Sequence, residues 1–162
     1  MQNNEEKRSW YAAKVFFNKV SPIQKLLDEK QVKYYLPKDV IPSLLFFYST
    51  ELFTKQLRAE CYSKLWVYSD YISKQPLPIP EDEMEIFIFV TSAGQQGLLY
   101  LGDDKPEYHQ GDRVRVIEGP FKGAEGHIKR IKKDRRLIVT VRGVVAVATT
   151  YIHPSFLEKI ES

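Results

Sequence analysis

The chain has 162 residues, of which 43% are hydrophobic and 28% are charged, so it is long enough for one ordinary domain or two small ones. Its N-terminus, MQNNEEKRSW, lacks the apolar core of a secretory signal, and its longest apolar runs are far too short to span a bilayer. The single cysteine, Cys61, excludes an internal disulfide and suits a reducing cytoplasm, where we expect the protein to act away from any membrane.

Charge is distributed unevenly along the chain. Residues 1–108 carry 13 Lys and Arg against 15 Asp and Glu, a net charge of −2, whereas residues 109–162 carry 11 against 6, a net charge of +5. This asymmetry predicts two units, of which the C-terminal one is the better suited to phosphates or to an acidic surface.

The N-terminal half predicts strands that alternate with helices. Arg8–Phe17 is aromatic and β-branched enough for a buried strand, and a helix follows over 21–33, with Ser21 as N-cap and Pro22 at the first helical position. Further elements are predicted as strands at 34–37, 40–49 and 64–70 and as helices at 50–60 and 80–93. One sheet with helices on one face accounts for this order.

The C-terminal half predicts a small all-β module. Residues 94–107 are rich in glycine and acid and are predicted to be a linker, in which LLYL forms a short packed segment. Short strands then follow at 112–118, 126–131, 137–142 and 144–152. A unit of this size is marginally stable unless its sheet curls closed.

A glycine-rich turn, EGPFKGAEG, follows the first of these strands and places Phe121 at its tip. Val114 and Val116 of the strand should face the core and Arg113 and Arg115 the solvent. Two interpretations of Phe121 are open: it folds back to plug the barrel end, or it stays exposed to dock a partner.

Six Lys and Arg residues surround the next turn, which is predicted at Asp134. They are Lys129, Arg130, Lys132, Lys133, Arg135 and Arg136. The residues allow a solvated hairpin or contacts with nucleic-acid phosphates. Because no aromatic residue is interleaved with the charges, base stacking is not predicted here.

Residues typical of catalytic and metal sites are sparse. His109, His127 and His153 are too widely separated for a helical metal pair, and one cysteine cannot form a zinc knuckle. The chain also lacks a GxxxxGK[ST] phosphate loop. The sequence therefore predicts a protein that is not an enzyme and that has no metal and no cofactor.

Two parts of the chain resemble a known family. Gly111–Ile131, GDRVRVIEGPFKGAEGHIKRI, resembles a KOW motif, with Gly126 as its characteristic glycine. The stretches WYAAKVFFNKVSPIQKLLDEK, YYLP and IPSLLFFYS are similar to the N-terminal domain of NusG-type transcription elongation factors. PLPIPEDEMEIFIFV is most similar to the UpxY-type antiterminators of capsular-polysaccharide operons, and the resemblance extends over residues 8–160.

The resemblance implies an α+β protein in two domains. An N-terminal α/β sandwich, an antiparallel sheet with helices, would span 8–93, with a linker at 94–107 and an SH3-like β-barrel at 108–162. It implies an operon-specific antiterminator that binds RNA polymerase through its N-terminal domain and suppresses pausing. It further implies contact with non-template DNA or nascent RNA, and recruitment of Rho or a ribosomal protein by the barrel.

Carried over residue by residue, the resemblance implies two protein-binding sites. The polymerase would bind an apolar patch of Trp10, Tyr11, Leu36, Pro37, Leu44 and Phe46. Tyr11 and Phe46 are expected nearest to the contact. The barrel's partner would dock on Phe121, Lys122 and Ile128, and this match favours an exposed Phe121.

The chain departs from the family pattern at two places. Pro42-Ser43-Leu44 stands where the family has Pro-Gly-Tyr, and KGAEG follows Phe121 in place of an acidic-aromatic run, so Rho is not specified as the partner. Two alternative functions stay open. One is a ribosome-associated RNA-binding protein that uses its KOW barrel, and the other is an enzyme with an unfamiliar site.

Overall fold

Two antiparallel sheets, each with its own group of strands, organise the computed structural model, which describes residues 7–92 and 97–160. The chain divides into an N-terminal unit, Met1–Glu81, and a C-terminal unit, Asp82–Ser162. The mixed α and β class is thereby confirmed. The division falls earlier in the chain than the predicted domain bounds of 8–93 and 108–162, which stay predictions.

The N-terminal unit is a four-stranded sheet with two helices packed on one of its faces. The strand order is β2-β3-β1-β4, and every pairing is antiparallel. Alternate residues of β1 point into the helix-covered core, because successive side chains of a strand face opposite sides. The elements are β1 (Arg8–Val15), α1 (Val20–Glu29), β2 (Lys33–Tyr35), β3 (Leu44–Thr50), α2 (Glu51–Glu60) and β4 (Leu65–Val67).

The start of α1 differs from the sequence prediction. The helix begins at Val20, and its N-cap is Lys19, whose side chain makes no capping hydrogen bond, so the assignment of Ser21 as N-cap is wrong. Pro22 lies in the first turn, where a missing N–H leaves no helical hydrogen bond unmade. The helix ends at Glu29, and Gln31 beyond it takes a left-handed backbone angle, φ 59°.

The C-terminal unit contains nearly all of helix α3 and a six-stranded sheet. The strand order is β10-β6-β7-β8-β9-β5. A single 3₁₀ turn at Pro106–His109 precedes β6, and another at Pro154–Phe156 precedes β10. The elements are α3 (Glu81–Ser92), β5 (Leu99–Gly102), β6 (Arg113–Val116), β7 (Glu125–Ile131), β8 (Asp134–Val141), β9 (Val145–Tyr151) and β10 (Leu157–Ile160).

Part of the predicted linker belongs to this second sheet. The LLYL segment forms β5, which pairs with β9 as an edge strand. Its two leucines, Leu99 and Leu101, pack against a buried cluster that contains Tyr108 and Ile138. Burial of these apolar side chains explains why the segment joins the sheet, whereas residues 94–96 lie outside the described residues.

Gly126 of β7 allows two strands to lie unusually close together. A Cβ atom at this position would collide with the carbonyl oxygen of Ile138 in β8 and would crowd the Leu137 side chain. Gly126 pairs directly with Val114 of β6, so it lies where β6, β7 and β8 meet. The requirement here is space, since its backbone φ is not in the left-handed region.

We predict that Gly126→Ala destabilises the C-terminal unit by about 3 kcal/mol, because the added methyl group must push backbone apart, a severe form of overpacking. Amide hydrogen exchange of β7 and β8 in the full chain measures this loss. The comparison is Gly111→Asn, at a glycine with open space around its Cβ and a left-handed φ of +84°, where asparagine is less strained than other side chains. Equal exchange rates in the two variants would contradict the steric explanation.

Candidate functional site

The register between β1 and β3 separates the predicted polymerase patch into two groups. Tyr11 is opposite Phe47, and Ala12 is opposite Phe46, so Tyr11 and Phe46 point to opposite faces of the sheet. Tyr11 belongs to the helix-covered core. Tyr11 and Phe46, which were expected nearest to the contact, therefore do not share a face of the sheet.

The same six residues do not form an exposed patch. Trp10, Tyr11, Pro37, Leu44 and Phe46 are buried, Phe46 completely, and Leu36 is half-buried against the helix-covered core. On the face that carries Trp10, its ring stacks at an angle on Tyr48, 5.5 Å between centroids, and Lys33 Nζ lies 5.5 Å from the indole ring centre. These aromatic side chains pack the interior of the structure, which corrects their assignment as a surface.

Tyr11 illustrates the electrostatic effect of this burial. Desolvation raises the pKa of the Tyr11 phenol, and the Glu51 carboxylate adds to the rise while a hydrogen bond with Ser9 opposes it. The phenol therefore stays protonated at neutral pH and acts as a core side chain.

Exposed apolar side chains occur elsewhere in the N-terminal unit, where β1 ends. Phe17 is 89% exposed, and Trp66, opposite Lys14 in β4, is 52% exposed. The Phe16 amide donates to the Lys64 carbonyl oxygen at 2.9 Å, which ties the end of β1 to the start of β4. A hollow of about 630 Å³ adjoins this end, lined by Lys14, Val15, Phe16, Phe17, Asn18, Val20, Ser21, Pro42 and Ser43.

The sequence contained a signal for these two aromatic side chains. Leu65 and Val67 are buried, so the alternation of a strand directs Trp66 outward. Two consecutive phenylalanines cannot both face one core, and Asn18, with φ 62°, turns the chain directly after them. The alternation in Leu65–Val67 and the turn at Asn18 therefore predict that Trp66 and one of the two phenylalanines are exposed.

A second pair of exposed apolar side chains lies on the loop after β4. Tyr71 is 86% exposed and Ile72 is 89% exposed. The loop is held by Asp70, whose carboxylate accepts the Ser73 amide at 2.8 Å and the Ile72 amide at 2.9 Å. These backbone donors hold the pKa of Asp70 below its usual value. The loop is thus well ordered by its own hydrogen bonds, and it supplies a comparison surface within the same unit.

Phe121 of the glycine-rich turn is buried, with 4% of its surface exposed. The turn folds back on itself through amide-to-carbonyl hydrogen bonds from Gly123 to Val116, 2.8 Å, and from Ala124 to Phe121, 2.9 Å. Phe121 is therefore buried, as the plug interpretation requires, and the expectation of an exposed docking anchor is wrong. Of the other two residues assigned to docking, Lys122 is exposed and Ile128 is half-buried.

Two of the six hairpin cations are held by contacts within the C-terminal unit. Lys129 Nζ lies 3.5 Å from the Glu107 carboxylate. Arg136 pairs with Asp134 at 3.5 Å and donates hydrogen bonds to backbone carbonyl oxygens, among them that of Thr149 at 3.2 Å. These two side chains support the fold, because they face the side of β7 and β8 on which Ile138 is buried.

The remaining four cations occupy two different places. Arg130 and Arg135 are opposite each other in β7 and β8, on the other face of the hairpin. Lys132 and Lys133 form the two-residue turn itself, with φ of 53° and 73°, and Asp134 is already in β8. Two consecutive positive φ angles indicate a type I′ turn, which favours Asn-Gly over lysine.

No group of three or more His, Cys, Asp and Glu side chains that could hold a metal ion occurs in residues 7–92 and 97–160. His109 instead contacts the Asp104 carboxylate at 2.8 Å, and the other oxygen of Asp104 accepts the Gly143 amide at 3.0 Å. Among the helices of these residues, none combines the length and apolarity that a membrane span requires.

Comparison with known proteins bears on both units. Residues 110–142 match the KOW motif, which confirms the motif expected from the sequence. The fold is similar to that of NusG from Thermotoga maritima, in a structure concerned with domain interaction in that protein. The TM-score is 0.51 and the sequence identity 20%, and the match covers 96% of this chain and 98% of the Thermotoga chain. At this identity the likeness shows a shared fold.

We predict that Phe121→Ala lowers the free energy of unfolding of the C-terminal unit by about 3–5 kcal/mol, the usual cost of emptying a buried aromatic site. Hydrogen exchange of the strand amides in the full chain measures it. Lys122→Ala, at the exposed neighbouring position, should change stability by less than about 0.5 kcal/mol. A Phe121→Ala protein as stable as this control would show that the ring is not a plug.

We also predict that Lys132→Asn with Lys133→Gly stabilises the hairpin by about 1–2 kcal/mol, because both residues favour the left-handed backbone more than lysine does. Urea unfolding of the full chain measures the gain. Lys122→Asn makes the same chemical change as Lys132→Asn at a residue outside the left-handed region, and it should give no gain. A gain in both proteins would indicate an effect of charge instead of backbone conformation.

Proposed function

We propose that this chain is a NusG-type transcription elongation factor that binds RNA polymerase and acts by binding, without catalysis. The observation that carries the proposal is the coincidence of two likenesses. The fold resembles that of Thermotoga NusG over 96% of the chain, and a KOW motif lies in the C-terminal unit at residues 110–142. A likeness confined to the KOW motif would leave the N-terminal unit unexplained.

The polymerase contact belongs to the N-terminal unit in this proposal, on the exposed apolar surface where β1 ends. Phe17 is exposed and lines the hollow. Trp66 is also exposed, and it is opposite Lys14, which lines the same hollow. Aromatic side chains of this kind are enriched among residues that dominate protein–protein affinity. The buried residues first assigned to the polymerase patch, such as Trp10 and Phe46, then act indirectly, because they fix the shape of the sheet that carries this surface.

A narrower proposal is operon-specific antitermination of the UpxY type in the cytoplasm. Its support is the sequence PLPIPEDEMEIFIFV and the domain order of the resemblance. In this role the factor suppresses pausing, and the exposed turn lysines Lys132 and Lys133 contact non-template DNA or nascent RNA. The C-terminal unit recruits a further partner, such as Rho or a ribosomal protein.

The proposal predicts that the full chain binds bacterial core RNA polymerase in a pull-down. Phe17→Ala with Trp66→Ala should weaken this binding by at least about tenfold, because truncating an aromatic hot spot of an interface costs about 2 kcal/mol or more. Tyr71→Ala with Ile72→Ala is the control, since it removes two apolar side chains of the same unit that are both more exposed than Trp66.

Three outcomes would contradict parts of this proposal. Absence of polymerase binding by the parent chain removes the function itself. Equal losses in the two double variants remove the assignment to the end of β1. If the protein sediments with ribosomes at high salt and does not bind polymerase, the alternative of a ribosome-associated KOW protein replaces it. Transcription on a matched leader template tests antitermination separately.

A further inference from the structure

Arg130 and Arg135 lie side by side on one face of the β7–β8 hairpin. They are opposite each other in the antiparallel register, and both side chains are exposed. Within the described parts of the chain, neither makes an ion pair or a side-chain hydrogen bond. Like charges directly opposite each other destabilise a sheet, so this arrangement works against the fold unless something anionic binds there.

An aliphatic groove of about 620 Å³ adjoins the two guanidinium groups. Val114 of β6, Ile128 of β7 and Leu157 of β10 contribute to its surface, together with Ile152. Asp112 also lines it, but the carboxylate of Asp112 already pairs with Lys159 Nζ at 3.1 Å. The groove therefore combines an apolar floor with two arginines that no carboxylate of residues 7–92 or 97–160 neutralises.

This combination distinguishes among anionic ligands. Arginine binds carboxylates through two parallel hydrogen bonds, and an aliphatic floor suits leucine or isoleucine side chains. None of the described residues that line the groove is aromatic, so it offers no ring on which a nucleic-acid base could stack. The charge complementarity and the floor together fit an acidic segment of protein chain better than RNA.

We propose that this groove of the C-terminal unit binds an acidic, aliphatic peptide segment of a partner protein. Arg130 and Arg135 bind two carboxylates of the segment, and the half-buried side chains of Ile128 and Leu157 contact its apolar side chains, above the buried Val114. The site does not include buried Phe121, and it lies in a different unit from the surface proposed for polymerase.

The other cations of the hairpin supply a matched control. Lys132 and Lys133 lie at the turn and do not line the groove. Lys132→Asn with Lys133→Gly therefore removes two positive charges from the same hairpin at positions that do not line the groove. The test variant, Arg130→Thr with Arg135→Thr, also removes two charges. It replaces a repulsive cross-strand pair by a favourable threonine pair, so we expect it to melt no lower than the parent.

The experiment titrates the full chain with a fluorescein-labelled hexapeptide in which two glutamates are flanked on each side by two leucines. We expect saturable binding with shifts in the amide resonances of Val114, Ile128 and Leu157. The double threonine variant should lose at least about tenfold in affinity, because two charge-assisted hydrogen-bonding groups are removed, whereas the lysine control should stay within about twofold of the parent.

Two further peptides and one nucleic acid test the chemistry. Replacing the glutamates by lysines should abolish binding, and replacing the leucines by serines should weaken it strongly. The proposal is overturned if no peptide binds at millimolar concentration, or if the serine peptide binds as tightly as the leucine peptide. It is also overturned if a uridine decamer alone binds and loses equal affinity in the arginine and lysine variants, which would identify the hairpin as an RNA-phosphate site.

Discussion

The register of antiparallel strands is the constraint on which both units depend. Because side chains alternate along a strand and opposite residues share a face, one pairing fixes the environment of every residue in two strands. The pairing of Tyr11 with Phe47 sends both rings into the core beneath α1 and α2, with centroids 6.0 Å apart. The neighbouring Phe46 is thereby placed on the other side. A slip of one residue would reverse these assignments and expose the core of the N-terminal unit.

Alternation also explains where the N-terminal unit has apolar surface to offer a partner. Side chains in the middle of the sheet are buried on both faces, as Phe46 and Phe47 show. Apolar side chains are exposed at the border of the sheet, at Phe17 just after β1 and at Trp66 in β4. Strand β4 is an edge strand of only three residues. Aromatic side chains at such a border suit protein binding, because the packed centre of the sheet fixes their position and the edge of the sheet leaves them accessible.

The sequence predicted what depends on local pattern and missed what depends on tertiary placement. The strands β6 to β9 follow from alternation and turn residues, and the KOW motif follows from its glycine. The role of LLYL as β5 required a partner strand, β9, that lies more than forty residues away in sequence. The sequence left Phe121 open because a turn tip can fold inward or outward, and the structure shows it folded inward, with the Gly123 amide bonded to the Val116 carbonyl oxygen of β6. The polymerase patch assigned by resemblance is largely buried, because sequence similarity does not show whether a side chain is exposed to solvent.

The glycine of the KOW motif and the arginine pair are connected by the same register. Gly126, Ile128 and Arg130 alternate along β7 and therefore share one face. Gly126 permits the close approach of the β7 backbone to Ile138 of β8, and the two-residue turn at Lys132 and Lys133 sets the alignment of the two strands. This alignment places Ile128 opposite Leu137 and Arg130 opposite Arg135. A one-residue shift would place Arg130 opposite Asp134 or Arg136 and would end its pairing with Arg135. The glycine and the turn thus support one alignment, in which two guanidinium groups lie beside an aliphatic groove.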